Sequence, residues 1–261
     1  MIALAFVDQV KRGGVVTMWT LRYLLATRRV IGMALLALVP LILAGSLALA
    51  QVATFDILLF QALMVPLFLQ VVVIFITLVN AAGLIREEID DNTLPYLLTR
   101  PISKPTIVAA KYLGYLVAVY VLLLPPLVLA YGVTEAHTGL AFGADSDVLA
   151  GFLVATVVGS AAYGALFLFI SVLLRKPLAV GLLIGFVWES IVGSIPGNVP
   201  KLSLIYYLKS ILKGMIDVGP LSGFTTDVSA GAAAAILIGL SIAFVLASMV
   251  VFQQNEFRQK A

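Results

Sequence analysis

The sequence predicts an all-α integral membrane protein of six transmembrane helices, and three observations carry that prediction. Hydrophobic residues make up 62% of the chain and charged residues 11%, with a mean hydropathy of +1.13, whereas soluble domains lie near about 45–50% and 25%. The 261 residues divide into apolar runs of membrane-crossing length with short polar connections, which leaves no room for a soluble catalytic domain. The basic residues segregate as well. With the N-terminus in the cytosol, six spans put 13 of the 16 Lys and Arg inside and only Lys201, Lys209 and Lys213 outside. This reading places a multi-pass protein in the cytoplasmic membrane, with both termini cytosolic. The net charge of +3 is explained by that segregation, so it signals no nucleic-acid partner. The absence of cysteine excludes disulfides and thiolate metal sites, and the single histidine, His137, falls in a predicted loop as a surface residue.

Residues 1–29 read as an amphipathic N-terminal segment. Lys11 and Arg12 follow the first apolar run instead of preceding it, which is the wrong order for a signal peptide. Gly13-Gly14 is expected to split the segment. Beyond it Trp19, Leu21, Leu24 and Leu25 alternate with Arg22, Arg28 and Arg29 in the pattern of an interfacial helix whose arginines snorkel to lipid headgroups.

Residues 30–261 form a single domain with spans expected near 30–50, 57–85, 106–131, 148–174, 178–195 and 231–252. In span two Pro66 is a kink signal. Gln70, Thr77 and Asn80 fall within about 80° of one another on an ideal helix, a stripe suited to helix pairing or to a translocation path. Pro125-Pro126 marks a kink or break in span three, with a polar loop, Gly132 to Asp147, beyond it. Gly151, Ala155 and Gly159 in span four, Gly181, Gly185, Glu189 and Gly193 in span five, and Gly231, Ala235, Gly239, Ala243 and Ala247 in span six repeat at intervals of four. Such small-residue faces predict close helix packing in lipid. Residues 196–230 are too interrupted by Pro and Gly to span, and read as an external re-entrant or interfacial hairpin with Lys201, Lys209 and Lys213 along one face.

Glu189 is the one ionisable residue predicted well inside a span. Counted from Leu178 it lies roughly 17 Å into a core about 30 Å thick, where a lone carboxylate requires a proton or a partner. The three external lysines are the expected partners. Two roles follow for Glu189, pinning the hairpin to span five or lining the outer half of a path that meets a second copy of the chain.

Charge concentrates in a loop over 86–105, between spans two and three. Thr93 and Ser103 each precede a proline by two residues and predict helix caps, because first-turn amides have no helical partner for proline to remove. Between the caps Leu94, Leu97 and Leu98 make an apolar stripe about two turns long, which needs another surface to bury it. Glu87, Glu88, Asp90 and Asp91 follow the C-terminal end of span two, where the helix dipole disfavours anions. Arg22, Arg28 and Arg29 are the expected counter-charges for Glu87 and Glu88.

The acidic pair, the Thr-Leu step, Leu-Leu-Thr, Arg-Pro-Ile-Ser-Lys and Lys111 seven residues beyond Lys104 resemble the cytosolic loop of ABC type-2 permeases, the membrane subunits of ATP-driven exporters. The resemblance implies a coupling helix that docks into a separate ATPase subunit, with Glu87, Glu88, Asp91, Thr93, Leu94, Leu97, Leu98, Arg100, Pro101, Ser103 and Lys104 at the interface. It also implies an elbow helix at 1–29, two ATPase copies and a second permease, and ATP and Mg bound by the partner subunit with no cofactor on this chain. The chain itself has no GxxxxGK[ST] phosphate loop. It is therefore expected to be a non-catalytic subunit moving a substrate, not identifiable from the sequence, by alternating access. A membrane-embedded enzyme would need clustered His, Asp or Glu at membrane depth, and a secondary transporter an internal repeat with midplane carboxylates. The sequence offers neither pattern.

Overall fold

In a computed structural model the described residues are 2–90, 102–193, 195, 197–216, 219–221 and 223–254, with 2–12 described by backbone alone. They form helices and turns, with no strand among them. The helices are α1 (Ile2–Ala26), α2 (Arg29–Leu49), α3 (Ile57–Asp90), α4 (Lys104–Thr138), α5 (Ser146–Leu173), α6 (Pro177–Val192), α7 (Leu204–Met215) and α8 (Ala230–Gln254). Five of them, α2, α3, α4, α5 and α8, are long and apolar enough to cross a membrane. The expected coupling helix, with Asp91, Asn92, Thr93, Leu94, Leu97, Leu98, Arg100 and Pro101, lies outside the described residues.

Gly13-Gly14 does not split the N-terminal segment: α1 runs through it unbroken. The reason is lateral support from the start of α4. Thr17 donates to the Ala110 carbonyl at 3.0 Å, and a side chain on Gly114 would collide with the Thr17 backbone at 2.8 Å. The opposite side of α1, with Met18, Trp19, Arg22 and Tyr23, is exposed, which is the burial pattern of an interfacial helix.

Asp56 caps α3 by accepting from Leu59 N at 2.9 Å. Pro66 is accommodated by a π-helical stretch over Met64–Val73, after which α-geometry resumes from Ile74 to Asp90. The wider π turns rotate Gln70 relative to Thr77 and Asn80. Thr77 and Asn80 are buried while Gln70 is half-buried, so the stripe expected of an ideal helix is broken at Gln70.

Span three is longer than its sequence suggested. α4 continues through Pro125-Pro126 to Thr138 and closes on Gly139 in the left-handed conformation, φ 75°. The prolines remove the amides that would reach the Val121 and Leu122 carbonyls, a loss that packed neighbours offset in a bundle. Only residues 139–145 remain as loop. His137 falls in the last turn of α4, its ring 5.5 Å from that of Phe55. Three tyrosines of α4 stitch it to α5: Tyr112, Tyr115 and Tyr120 donate to the carbonyls of Ala161, Ser160 and Val157 at 2.8, 2.9 and 3.2 Å.

The small-residue faces divide into two kinds. Those of α5 and α6 are packed inside the chain: Gly159 stands against Leu208, Gly151 against Leu212 and Ile216, Gly181 against Leu78 and Phe167, and Gly185 against Ile74 and Phe167. The corresponding face of α8 is bare, with nothing near Gly231 or Gly239. α8 instead turns Ala233, Leu237, Ser241, Ser248 and Phe252 inward.

α7 lies in the stretch expected as a re-entrant or interfacial hairpin. Its apolar residues Leu208 and Leu212 lie on Gly159 and Gly151 in that order, so α7 runs antiparallel along α5 instead of lying across the bundle. Glu189, at the end of α6, meets its N-terminus. The apolar helix α6 ends at Val192, short of the predicted 195, and contains a second π stretch at Leu183–Trp188.

Candidate functional site

The ends of α3 and α8, the start of α4 and the junction of α1 with α2 gather at one end of the bundle. Ser103, extended at φ −68° and ψ 143°, caps α4 by accepting from Thr106 N at 3.4 Å, with Pro105 in the first turn. That cap fixes where α4 begins and so where Lys104 and Lys111 project. Lys104 donates to the Gln253 carbonyl at 3.4 Å, tying α4 to the end of α8.

The acidic residues at the end of α3 are divided among separate partners. Glu87 is ion-paired with Arg29 and accepts from the Tyr23 hydroxyl at 3.2 Å, so it holds the α1–α2 junction. Glu88 turns the other way, to Lys111 Nζ at 2.5 Å, and the same ammonium donates to the Leu84 carbonyl at 2.7 Å. Arg86 closes on Asp90 one turn later at 2.5 and 3.1 Å. Lys111 is 6% exposed, and a buried ammonium without such partners would be strongly disfavoured. Each pair also offsets anions placed at a helix C-terminus.

Of the three elbow arginines expected to face these glutamates, Arg29 does so. Arg22 and Arg28 are exposed, and neither is in an ion pair among the described residues. The partner of Glu88 is Lys111, a correction whose signal was present in the sequence: a lone lysine about two turns into an apolar run must find an anion.

The candidate path residues are not gathered at one point. Thr77 donates to Ile74 O at 2.9 Å, and Asn80 donates to Ile76 O at 2.8 Å and to Met33 Sδ at 3.0 Å. Glu189 is 1% exposed, and its two oxygens accept from Leu204 N and Ile205 N, each at 3.0 Å. Of the three expected lysines, Lys201 reaches Asp227 at 3.4 Å and Lys213 donates to the Phe224 carbonyl, while Lys209 acts on the carboxylate through its charge and is in no ion pair among the described residues. The carboxylate thus caps a helix 15 residues away in sequence, supplying two of its unsatisfied first-turn amides. A distant cap leaves no spacing rule, and sequence reasoning did not reach it.

Among the described residues no group of three or more His, Cys, Asp or Glu could hold a metal ion. The chain matches no curated protein. It does match the ABC-2 family transporter protein family over residues 27–195, from the α1–α2 junction to just past α6. That span covers more than half of the 261 residues and includes the paired acidic end of α3, the caps of α4 and the small-residue faces of α5 and α6. The chain belongs to the ABC-2 family of transporter proteins and is a multi-pass membrane permease of an ABC transporter.

Proposed function

We propose that this chain is the permease subunit of an ATP-driven exporter of the cytoplasmic membrane, acting with two ATPase subunits and a second permease copy. The observation that carries the reading is the division of Glu87 and Glu88 between Arg29 and Lys111. The end of α3, which leads into the segment bearing the apolar Leu94, Leu97 and Leu98, is thereby tied to α1, α2 and α4. A push on it is transmitted to the α1–α2 junction and to α4 together, as rigid-body rocking of the bundle requires.

This reading has six crossings with cytosolic termini, and the five long helices together with α6 and α7 in series are consistent with that number. α6 alone spans about 24 Å of a core about 30 Å thick, and α7 continues outward from its end. Glu87, Glu88, Asp91, Thr93, Leu94, Leu97, Leu98, Arg100, Pro101, Ser103 and Lys104 make up the ATPase contact in this reading. ATP and Mg are bound by the partner.

The test is purification of the tagged chain from its own membranes in mild detergent. A stoichiometric protein carrying a phosphate loop supports the proposal. A chain that transports in vesicles with no such subunit contradicts it.

A further inference from the structure

The end of α6 and the start of α7 meet as two half-helices at membrane depth. Leu78 lies on Gly181 and Ile74 on Gly185, an antiparallel register of α3 and α6. The amides of Leu204 and Ile205 open the 12-residue α7 and present the positive end of its dipole to the carboxylate. Two further groups aim positive charge or a proton at this point. Tyr163 Oη is fully buried, has no hydrogen-bond partner, and faces the Glu189 carboxylate. Lys209, one turn after Ile205, is half-buried, is in no ion pair among the described residues, and interacts electrostatically with Glu189. Two amides, a phenol and an ammonium are thus arranged around one carboxylate, more donors than it uses. The connecting segment is exposed at 197–199 and 202, so the break opens to the surface of the chain beside apolar Trp188, 45% exposed, and Leu202, 68% exposed.

We propose that this break recognises an amphiphile with a carboxylate head, whose two oxygens take over the Leu204 and Ile205 amides that Glu189 holds in the resting state. Glu189 then turns to Lys209, Tyr163 donates to the incoming head group, and the apolar tail lies along Trp188 and Leu202. This inference rests on the transporter reading above and adds the class of its cargo. Half-helix termini facing anionic substrate groups are a recurring solution at membrane depth, because the dipole supplies charge without an unpaired ion.

The test uses the Trp19→Phe chain, which leaves Trp188 as the sole tryptophan, in nanodiscs of phosphatidylcholine at alkaline pH without any ATPase. Dibromostearic acid and its uncharged methyl ester are titrated as quenchers. The acid should half-quench Trp188 at a concentration about tenfold below the ester, the factor expected of one charge-assisted contact. Glu189→Gln removes the competing carboxylate and should lower the acid's half-quenching concentration further, leaving the ester unmoved. Lys209→Gln and Tyr163→Phe should raise it towards the ester's. A merely structural cap predicts the reverse for Glu189→Gln, a lower melting temperature with no gain for the acid.

Equal quenching by acid and ester overturns the site. If Glu189→Gln does not fold, unchanged acid selectivity in both Lys209→Gln and Tyr163→Phe overturns it as well. Loss of quenching when roughly a third of the lipid is phosphatidylglycerol assigns the site to a resident lipid and overturns the cargo role. Failure of the transporter reading shows separately, as absence of an ATPase partner with acid selectivity intact.

Discussion

Lys111, two turns into α4, holds Glu88 at the end of α3 through a 2.5 Å ion pair and the Leu84 carbonyl through a 2.7 Å hydrogen bond. The ammonium side is 8% exposed and the carboxylate side 30%, so solvent screens the pair on one side only. Removing the lysine takes the 2.5 Å partner from an anion at a helix C-terminus, whereas removing both charges leaves two apolar surfaces to pack.

Lys111→Met should therefore destabilise the protein by about 2 kcal/mol or more, and Lys111→Met with Glu88→Leu should recover most of that loss. Thermal melting of the two variants in detergent checks the pair. A single variant as stable as the wild type would show that the ion pair contributes nothing.

Glycines of the bundle separate by what surrounds them. A methyl group on Gly164 would stand 2.3 Å from the Tyr115 ring, which is fully buried and tied to Ser160. Gly239 has nothing within 4 Å. Gly164→Ala is expected to cost about 1–3 kcal/mol through overpacking. Gly239→Ala should leave the melting temperature of the isolated chain unchanged or slightly raised, as helix propensity dictates.

Much of this was legible in the sequence because it rests on period and composition. The apolar runs and the Ser103 cap are local signals with one structural solution each. What the sequence hid depends on partners far along the chain. Gly13-Gly14 signals a break unless Thr17 and Gly114 bring α4 alongside, and Pro125-Pro126 signals a break that the packed α4 does not take. The four-residue spacing in α8 matches that in α5, yet α5 uses its small face to seat α7 and α8 leaves its own bare. Glu189 was visible as an anomaly, but its partners are two backbone amides, which carry no residue identity to read.

Asp145 lies in the short turn between α4 and α5. Its pKa is raised, first by burial, then by the Glu135 and Asp147 carboxylates. A carboxyl group that binds its proton more tightly in the folded protein contributes stability below its unfolded pKa and loses it as pH rises through the folded one. Asp145→Asn should thus raise the melting temperature at neutral pH by about 1–2 °C, with the difference vanishing on acidification below the ordinary carboxylate range. Melting curves across pH that stay parallel would contradict this.

Orientation is open to direct chemistry. A cysteine placed at Ser146 should react with an impermeant thiol reagent in intact cells, and cysteines at Asn92 and Gln259 should react only after the membrane is opened. The chain has no native cysteine to interfere. Labelling at Asn92 in intact cells would put the charged end on the wrong side for ATP.

The central claim is that the segment between α3 and α4 receives an ATPase subunit through its leucine stripe, and Leu97→Asp tests it most directly. A carboxylate placed in that apolar contact costs several kcal/mol unless it finds a partner. The measurement is the amount of phosphate-loop subunit that copurifies with the tagged chain, together with ATP hydrolysis by the reconstituted complex. The account predicts a chain that inserts and melts like the wild type but loses the subunit or its transport-coupled hydrolysis. Wild-type copurification together with wild-type transport would contradict it.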